Sequence, residues 1–173
     1  MNVTAKHIIR FFILMFVQVF MLNSIPPLHQ FIVPYLYFAF LLWLPYRIGR
    51  AALMLLGFLL GVSADIFFKT PGLHAAVCVW ITYLRPFVIR LLMPKESTDW
   101  GQEEPNRKTM GAATYTTYLV MMTLLHHSSL IFLEWMQFGS FFYFIGKLLA
   151  TSLVSLLLMT IADLLLSRNT RNR

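Results

Sequence analysis

The stretch FFILMFVQVFMLNSIPPLHQFIVPYLYFAFLLWLPY, residues 11–46, decides the fold class, because its 36 residues contain no formally charged side chain. As one α-helix it would be about 54 Å long, whereas the hydrocarbon core of a bilayer is about 30 Å thick. The run must therefore fold back on itself. Asn23 and Ser24, followed by Pro26 and Pro27, mark the turn, since proline removes a backbone donor. We predict two spans here, at about 8–22 and 28–44.

The composition of the whole chain agrees with a lipid environment. Of its 173 residues, 58% are hydrophobic and 12% are charged, and the mean hydropathy is +0.69. Soluble domains contain roughly 45–50% apolar and about 25% charged residues. This composition excludes a water-soluble globule, a disordered chain and a nucleic-acid binder. A single cysteine, Cys78, also excludes an intrachain disulfide scaffold.

Four further apolar runs complete the predicted architecture. They cover about 51–68, from the turn at 70–73 to about 92, about 113–135 and about 141–166. The runs are apolar at both odd and even positions and are too long for membrane strands. The sequence therefore predicts an all-α integral membrane protein whose six transmembrane helices form one bundle. Residues 1–173 are a single transmembrane domain, and residues 94–112 are a polar loop between spans 4 and 5.

Lysine and arginine alternate between the two ends of the predicted spans. They precede span 1, join spans 2 and 3, follow span 4 and end the chain, whereas the turns on the other side hold only Lys69. Because positively charged flanks stay in the cytoplasm, we expect both termini and the 94–112 loop to be cytoplasmic. No small-residue cleavage site follows span 1, so we expect a retained helix and not a signal peptide.

Polar residues within the spans should form a layer in the outer third of the bilayer. At 1.5 Å per residue, Asp65 and Lys147 each lie about 9 Å below the outer surface. An unpaired charge is costly there, so Asp65 is expected to pair either with Lys147 across the bundle or with Lys69 one helical turn later. The candidate interface or structural polar cluster comprises Gly57, Gly61, Asp65, His74, His126 and Lys147.

Two features of the predicted spans have competing interpretations. Gly57 and Gly61 form a GxxxG pair, which allows close helix packing either within the bundle or against another membrane protein. Arg85 lies inside span 4, where we expect its long side chain to reach the inner headgroups in preference to a buried pair with Asp163.

No pattern in the sequence indicates catalysis, a metal or a cofactor. His126 and His127 are adjacent, so on a helix they point about 100° apart and do not have the spacing of shared metal ligands. The chain contains no HExxH, Walker or GxSxG motif. We therefore predict that the protein is not an enzyme and has no catalytic, cofactor-binding or metal-binding residues.

The segment from Gly57 to Asp65, GFLLGVSAD, and the segment TPGLHA at 70–75 resemble the signature of the rod shape-determining family MreD. In that family a glycine-rich third helix ends in an acid, and Gly-Leu-His opens the next helix. The resemblance implies a non-enzymatic scaffold in the bacterial cytoplasmic (inner) membrane that couples the cytoskeleton to peptidoglycan synthesis and maintains rod shape. The implied partners are the lipid bilayer, MreC, MreB, and RodA with its penicillin-binding transpeptidase; nucleic acid is not among them.

This family also resembles the six-helix substrate-binding subunits of energy-coupling-factor vitamin transporters, which supplies an alternative function and a fold analogy. Those subunits use small residues on the first helix to dock their coupling partner. Span 1 here, residues 8–22, contains no glycine, alanine or serine, which disfavours that docking. The outer polar layer has the kind of groups that a small-ligand pocket needs, so both functions remain open at this point.

Overall fold

The structure is a computed structural model that describes residues 3–23, 32–93, 103–134 and 141–171, with side chains described for 5–23, 32–93, 103–134 and 141–165. The described residues form helices and no β-strand. The helices are α1 (Val3–Phe16), which continues as a π-helix (Val17–Leu22), α2 (Ala39–Leu42), α3 (Arg50–Phe68), α4 (Leu73–Leu92), α5 (Arg107–Met110), α6 (Ala112–Glu134) and α7 (Phe141–Arg171).

Five of these helices are long and apolar enough to cross a membrane. The qualifying segments are Ala5–Leu22, Arg50–Phe68, Leu73–Leu92, Ala112–Glu134 and Phe141–Leu165. They coincide with the predicted spans 1, 3, 4, 5 and 6 to within a few residues. The chain is thus an all-helical, multi-pass membrane protein, with five spans of this kind among the described residues where the sequence predicts six.

The predicted second span is wrong as a continuous helix. Residues 28–31 lie outside the described part of the chain. Residues 32–44, here called the central segment, begin without regular secondary structure, then turn, and are helical only in α2. Every side chain from Tyr35 to Leu44 is nevertheless buried. A continuous apolar run indicates burial but does not distinguish a helix from other buried conformations. Pro34 also favours an extended conformation in the residue before it.

α3 and α4 pack so closely that glycine is required at their contact. A Cβ atom on Gly61 would lie 2.6 Å from the backbone nitrogen of Ala75, and one on Gly57 would lie 2.9 Å from the carbonyl oxygen of Cys78. The turn between the helices places Lys69 and Gly72 at φ +57° and +83°. The glycine pair is therefore used within the chain, to join two helices of its own bundle.

The described part of the predicted polar loop folds back onto the helices. Residues 94–102 lie outside the described residues. The side chain of Asn106 accepts hydrogen bonds from the backbone of Lys108 and Thr109 and so caps α5. The backbone nitrogen of Tyr46 donates to the carbonyl oxygen of Glu103 over 3.0 Å. This hydrogen bond attaches the loop to the backbone two residues beyond the central segment.

We expect Gly61→Ala to lower the free energy of unfolding by about 1–3 kcal/mol, because the new methyl group meets backbone atoms of α4 that have little room to shift. The measurement is reversible unfolding of the purified protein in detergent. Gly146→Ala is the matched control: nothing lies within 4 Å of its added Cβ, so stability should be unchanged or slightly raised. Equal stability of the two variants would contradict the close packing of α3 on α4.

Candidate functional site

Side chains from two helices bond the backbone of the first, non-helical half of the central segment. Gln18, in the π-helix, donates from Nε2 to the carbonyl oxygen of Pro34 over 3.0 Å. Its Oε1 accepts from the backbone nitrogens of Leu36 and Tyr37 at 2.6 and 3.2 Å. On the other side, the backbone nitrogen of Tyr35 donates to Ser155 Oγ of α7 over 3.1 Å. Buried backbone groups that lack helical partners thus obtain side-chain partners instead.

Arg85 likewise bonds backbone groups of the central segment, at the end of α2. Its side chain is buried, and its Nη2 donates to the carbonyl oxygens of Leu42, over 3.4 Å, and Leu44. Its Nε donates to the hydroxyl of Tyr118 over 3.1 Å, and that hydroxyl donates to the carbonyl oxygen of Leu42. A cation at a helix C-terminus satisfies the free carbonyls and the helix dipole.

Both sequence-based interpretations of Arg85 are therefore wrong. The guanidinium does not extend to the headgroups, because it is buried and bonded to carbonyls of the central segment. It does not pair with Asp163 either, whose Oδ2 lies 3.7 Å from Nε of Arg107.

Five buried side chains form a continuous hydrogen-bonded chain around Tyr37, here called the polar chain. The Tyr37 hydroxyl lies 2.7 Å from His74 Nδ1 and 3.1 Å from His126 Nε2. His126 Nδ1 lies 3.2 Å from His127 Nδ1, and His127 Nε2 lies 2.9 Å from Ser155 Oγ. The polar chain thus connects α4, the central segment, α6 and α7.

The polar chain is complete with every member neutral. Ser155 accepts from the Tyr35 backbone, so its hydroxyl is free to donate to His127. If His127 then donates to His126, His126 to the Tyr37 hydroxyl and Tyr37 to His74 Nδ1, every one of these hydrogen bonds has one donor and one acceptor. A fully satisfied buried network stabilises a single arrangement of the helices that contribute to it.

Asp65 joins this network to α3. One carboxylate oxygen accepts from the Thr70 hydroxyl at 3.0 Å and from the His74 backbone nitrogen at 2.9 Å. The other accepts from the Ala75 backbone nitrogen at 3.0 Å. The side chain therefore occupies the N-terminus of α4, where free backbone donors and the helix dipole favour a carboxylate.

The predicted ion pair between Asp65 and Lys147 is wrong, and so is the local alternative with Lys69. Backbone and hydroxyl donors of the α3–α4 turn take both Asp65 oxygens. The ammonium of Lys147 lies 2.8 Å from Oε2 of Glu134 and forms its ion pair there.

The structure brings together five of the six residues in the predicted cluster. Gly57 and Gly61 seat α3 on α4, Asp65 caps α4, and His74 and His126 flank Tyr37. Lys147 lies apart, paired with Glu134. Sequence reasoning missed Gln18, Tyr37 and Ser155. The one available signal was Gln18, a lone amide within an apolar run.

The metal-ligating side chains of the described residues do not assemble into a site. No group of three or more His, Cys, Asp and Glu side chains among them could hold a metal ion. Cys78 is buried, with Sγ 3.9 Å from the Tyr37 hydroxyl. The polar groups around Tyr37 bond to one another and so hold the helices together.

A second polar cluster closes the opposite end of the bundle. Glu104 lies 2.7 Å from the ammonium of Lys6 and 2.9 Å from Nη1 of Arg10, both on α1. Burial acts to raise the pKa of Glu104, but the Lys6 hydrogen bond and the charge of Arg10 outweigh it, so this pKa is lowered. The ion pairs hold the described part of the loop against α1.

In comparisons with known proteins, no family model, no curated protein and no solved structure matches this chain.

We expect Tyr37→Phe to lower the free energy of unfolding by about 1–3 kcal/mol, because two buried imidazoles lose their shared partner. Unfolding in detergent measures the effect. The control is Ser63→Ala, which removes a hydroxyl that bonds to the carbonyl oxygen of Leu59 in its own helix and should change stability by less than about 0.5 kcal/mol. A Tyr37→Phe protein as stable as the wild type would contradict the polar chain.

The Glu104 cluster predicts a stability difference that depends on pH. A carboxyl with a lowered pKa in the folded state stabilises that state above its ordinary pKa, and the contribution is lost as pH falls through the lowered value. Wild type should therefore be more stable than Glu104→Gln at neutral pH, and the difference should shrink as pH falls below about 4.5. Unfolding of both proteins across this range provides the measurement; a difference independent of pH would contradict the ion pairs.

Proposed function

We propose that the protein is a non-enzymatic membrane scaffold of the bacterial cell-elongation machinery, which couples the cytoskeleton to peptidoglycan synthesis and maintains rod shape. It lies in the cytoplasmic membrane with both termini on the cytoplasmic side. The resemblance of residues 57–65 and 70–75 to the MreD signature supports this proposal, as does the distribution of positive charge along the chain.

The main residues of that signature make their contacts within the chain itself, and the proposal rests on this structural observation. Gly57 and Gly61 give α4 room, Asp65 caps it, and His74 bonds to Tyr37. A residue that acts on a substrate needs a face that the substrate can reach. These residues instead hold the helices of the bundle together. Because their polar groups bond within the chain, we expect the protein to bind its partners through its outer surfaces.

The same observation disfavours the alternative, a substrate-binding subunit of an energy-coupling-factor-type vitamin transporter. A small-ligand site needs several convergent polar groups that are free to bind. Here the Tyr37 hydroxyl lies between His74 and His126. Tyr37 of the central segment thus engages both histidines, which are then not free to bind a ligand.

The partners of the scaffold are, on this proposal, MreC together with MreB, RodA and its penicillin-binding transpeptidase. Purification of the tagged protein from its own membranes in mild detergent should recover MreC and the wall-synthesis enzymes. Recovery with an ATPase pair and a bound vitamin would overturn the proposal.

Depletion in the native bacterium tests the function itself. We expect rods to become round as the protein is lost, and wild-type protein supplied from a second copy should restore rod shape. Asp65→Ala should restore it poorly because α4 loses its cap, whereas the control Ser63→Ala should restore it fully. Unchanged shape combined with impaired nutrient uptake on depletion would support the transporter alternative.

A further inference from the structure

The outward face of α4 carries three exposed aromatic side chains in contact with one another. Trp80, Tyr83 and Phe87 are 48%, 43% and 43% exposed, and together we call them the aromatic ladder. The ring centroids of Trp80 and Tyr83 are 6.1 Å apart, and those of Tyr83 and Phe87 are 5.5 Å apart. Their spacing of three and four residues places them along one side of the helix.

The position of this ladder is unusual for a surface covered by hydrocarbon. Tyr83 lies near the middle of α4, which spans Leu73–Leu92, and Trp80 lies less than one turn away. Tryptophan and tyrosine normally collect at the membrane–water interfaces, where their polar groups are hydrated. Within the described residues, neither the Trp80 indole N–H nor the Tyr83 hydroxyl has a hydrogen-bond partner, and lipid tails provide none.

Two arginines lie at one end of the ladder. The guanidinium carbon of Arg50, the first residue of α3, is 5.1 Å from the Phe87 ring centroid. Arg90 follows Phe87 by three residues on α4 and therefore shares its side of the helix. No acidic side chain among the described residues pairs with either arginine. Two arginines at this end of the ladder, neither paired with an acid of the described residues, favour an incoming negative charge.

We propose that the aromatic ladder, with Arg50 and Arg90 at its end, is the docking face for a single transmembrane helix of a partner protein. The partner helix offers hydrogen-bond acceptors near the bilayer centre and an aspartate or glutamate level with the two arginines. Tyrosine, tryptophan and arginine are the residues that contribute most at protein interfaces. The proposal rests on the scaffold function and deepens it by assigning one working surface.

Two other occupants fit this face less well. A second copy of the chain, related by a two-fold axis along the membrane normal, would bring Arg50 and Arg90 towards their own equivalents, and like charges oppose such contact. An anionic phospholipid would satisfy the arginines with its phosphate. Its acyl chains, however, would leave the Trp80 and Tyr83 donors unpaired in hydrocarbon.

Photocrosslinking in the native membrane tests the proposal. A benzophenone amino acid replaces Leu91, which is 74% exposed and lies beside Arg90; in the control it replaces Leu153 of α7, which is 69% exposed. We expect the Leu91 probe to crosslink another protein through a transmembrane peptide that carries an acidic residue near one end. Combined Arg50→Gln and Arg90→Gln substitution should lower that yield about five- to tenfold. Lys108→Gln, which removes a cation elsewhere, should leave the yield unchanged.

Three results would overturn the proposed docking face. The first is lipid adducts alone at both probe positions, and the second is crosslinking of the Leu91 probe to a second copy of the chain. The third is a protein crosslink whose yield is unchanged when both arginines are replaced by glutamine. Misfolding of the double variant is detected separately, because the purified protein would then lose its single size-exclusion peak. In that case Arg50→Lys with Arg90→Lys, which keeps both charges, should retain the crosslink, and its loss would equally count against the proposal.

Failure here with round cells on depletion would leave the scaffold function intact, whereas failure of the scaffold function would appear as unchanged cell shape.

Discussion

The structure depends on one constraint: the central segment is buried among membrane helices but is not itself a regular helix, so its backbone polar groups need partners from other elements. No water is present in a hydrocarbon core to supply them. Gln18 and Ser155 bond its first, non-helical half, and Arg85 and Tyr118 bond the end of α2. Each of these four polar side chains would be costly alone in lipid, and each bonds a backbone group of the central segment.

The same segment determines how the long helices are joined. Tyr37 lies where α4 and α6 approach, and its hydroxyl connects the histidines of both helices, from which the polar chain continues to α7. α3 enters through the glycine contacts and through the Asp65 cap on α4. Hydrogen bonds of this kind fix how membrane helices are aligned with one another. Apolar contacts alone distinguish poorly between alternative alignments, because lipid tails are as apolar as the helix side chains. The scaffold function proposed above requires a bundle whose helices are held in this way.

Much of this could be predicted from the sequence, because hydropathy and turn residues act locally. Apolar length located α1, α3, α4, α6 and α7, and depth along the helices placed Asp65, His74 and His126 in one layer. What failed depends on tertiary contacts. The partner of Asp65 is a helix terminus rather than a charge, and the central segment is as apolar as a span although only four of its residues are helical. Neither fact leaves a mark in composition or periodicity.

Hydrogen–deuterium exchange of the detergent-solubilised protein tests the central claim most directly, because it reports whether backbone amides are bonded and shielded. Peptides covering residues 35–42 should exchange as slowly as those from the middle of α4, despite containing a single short helix. Exchange of residues 35–37 at the rate of an exposed loop would contradict the account, since the amides bonded to Gln18 and Ser155 would then be open to water.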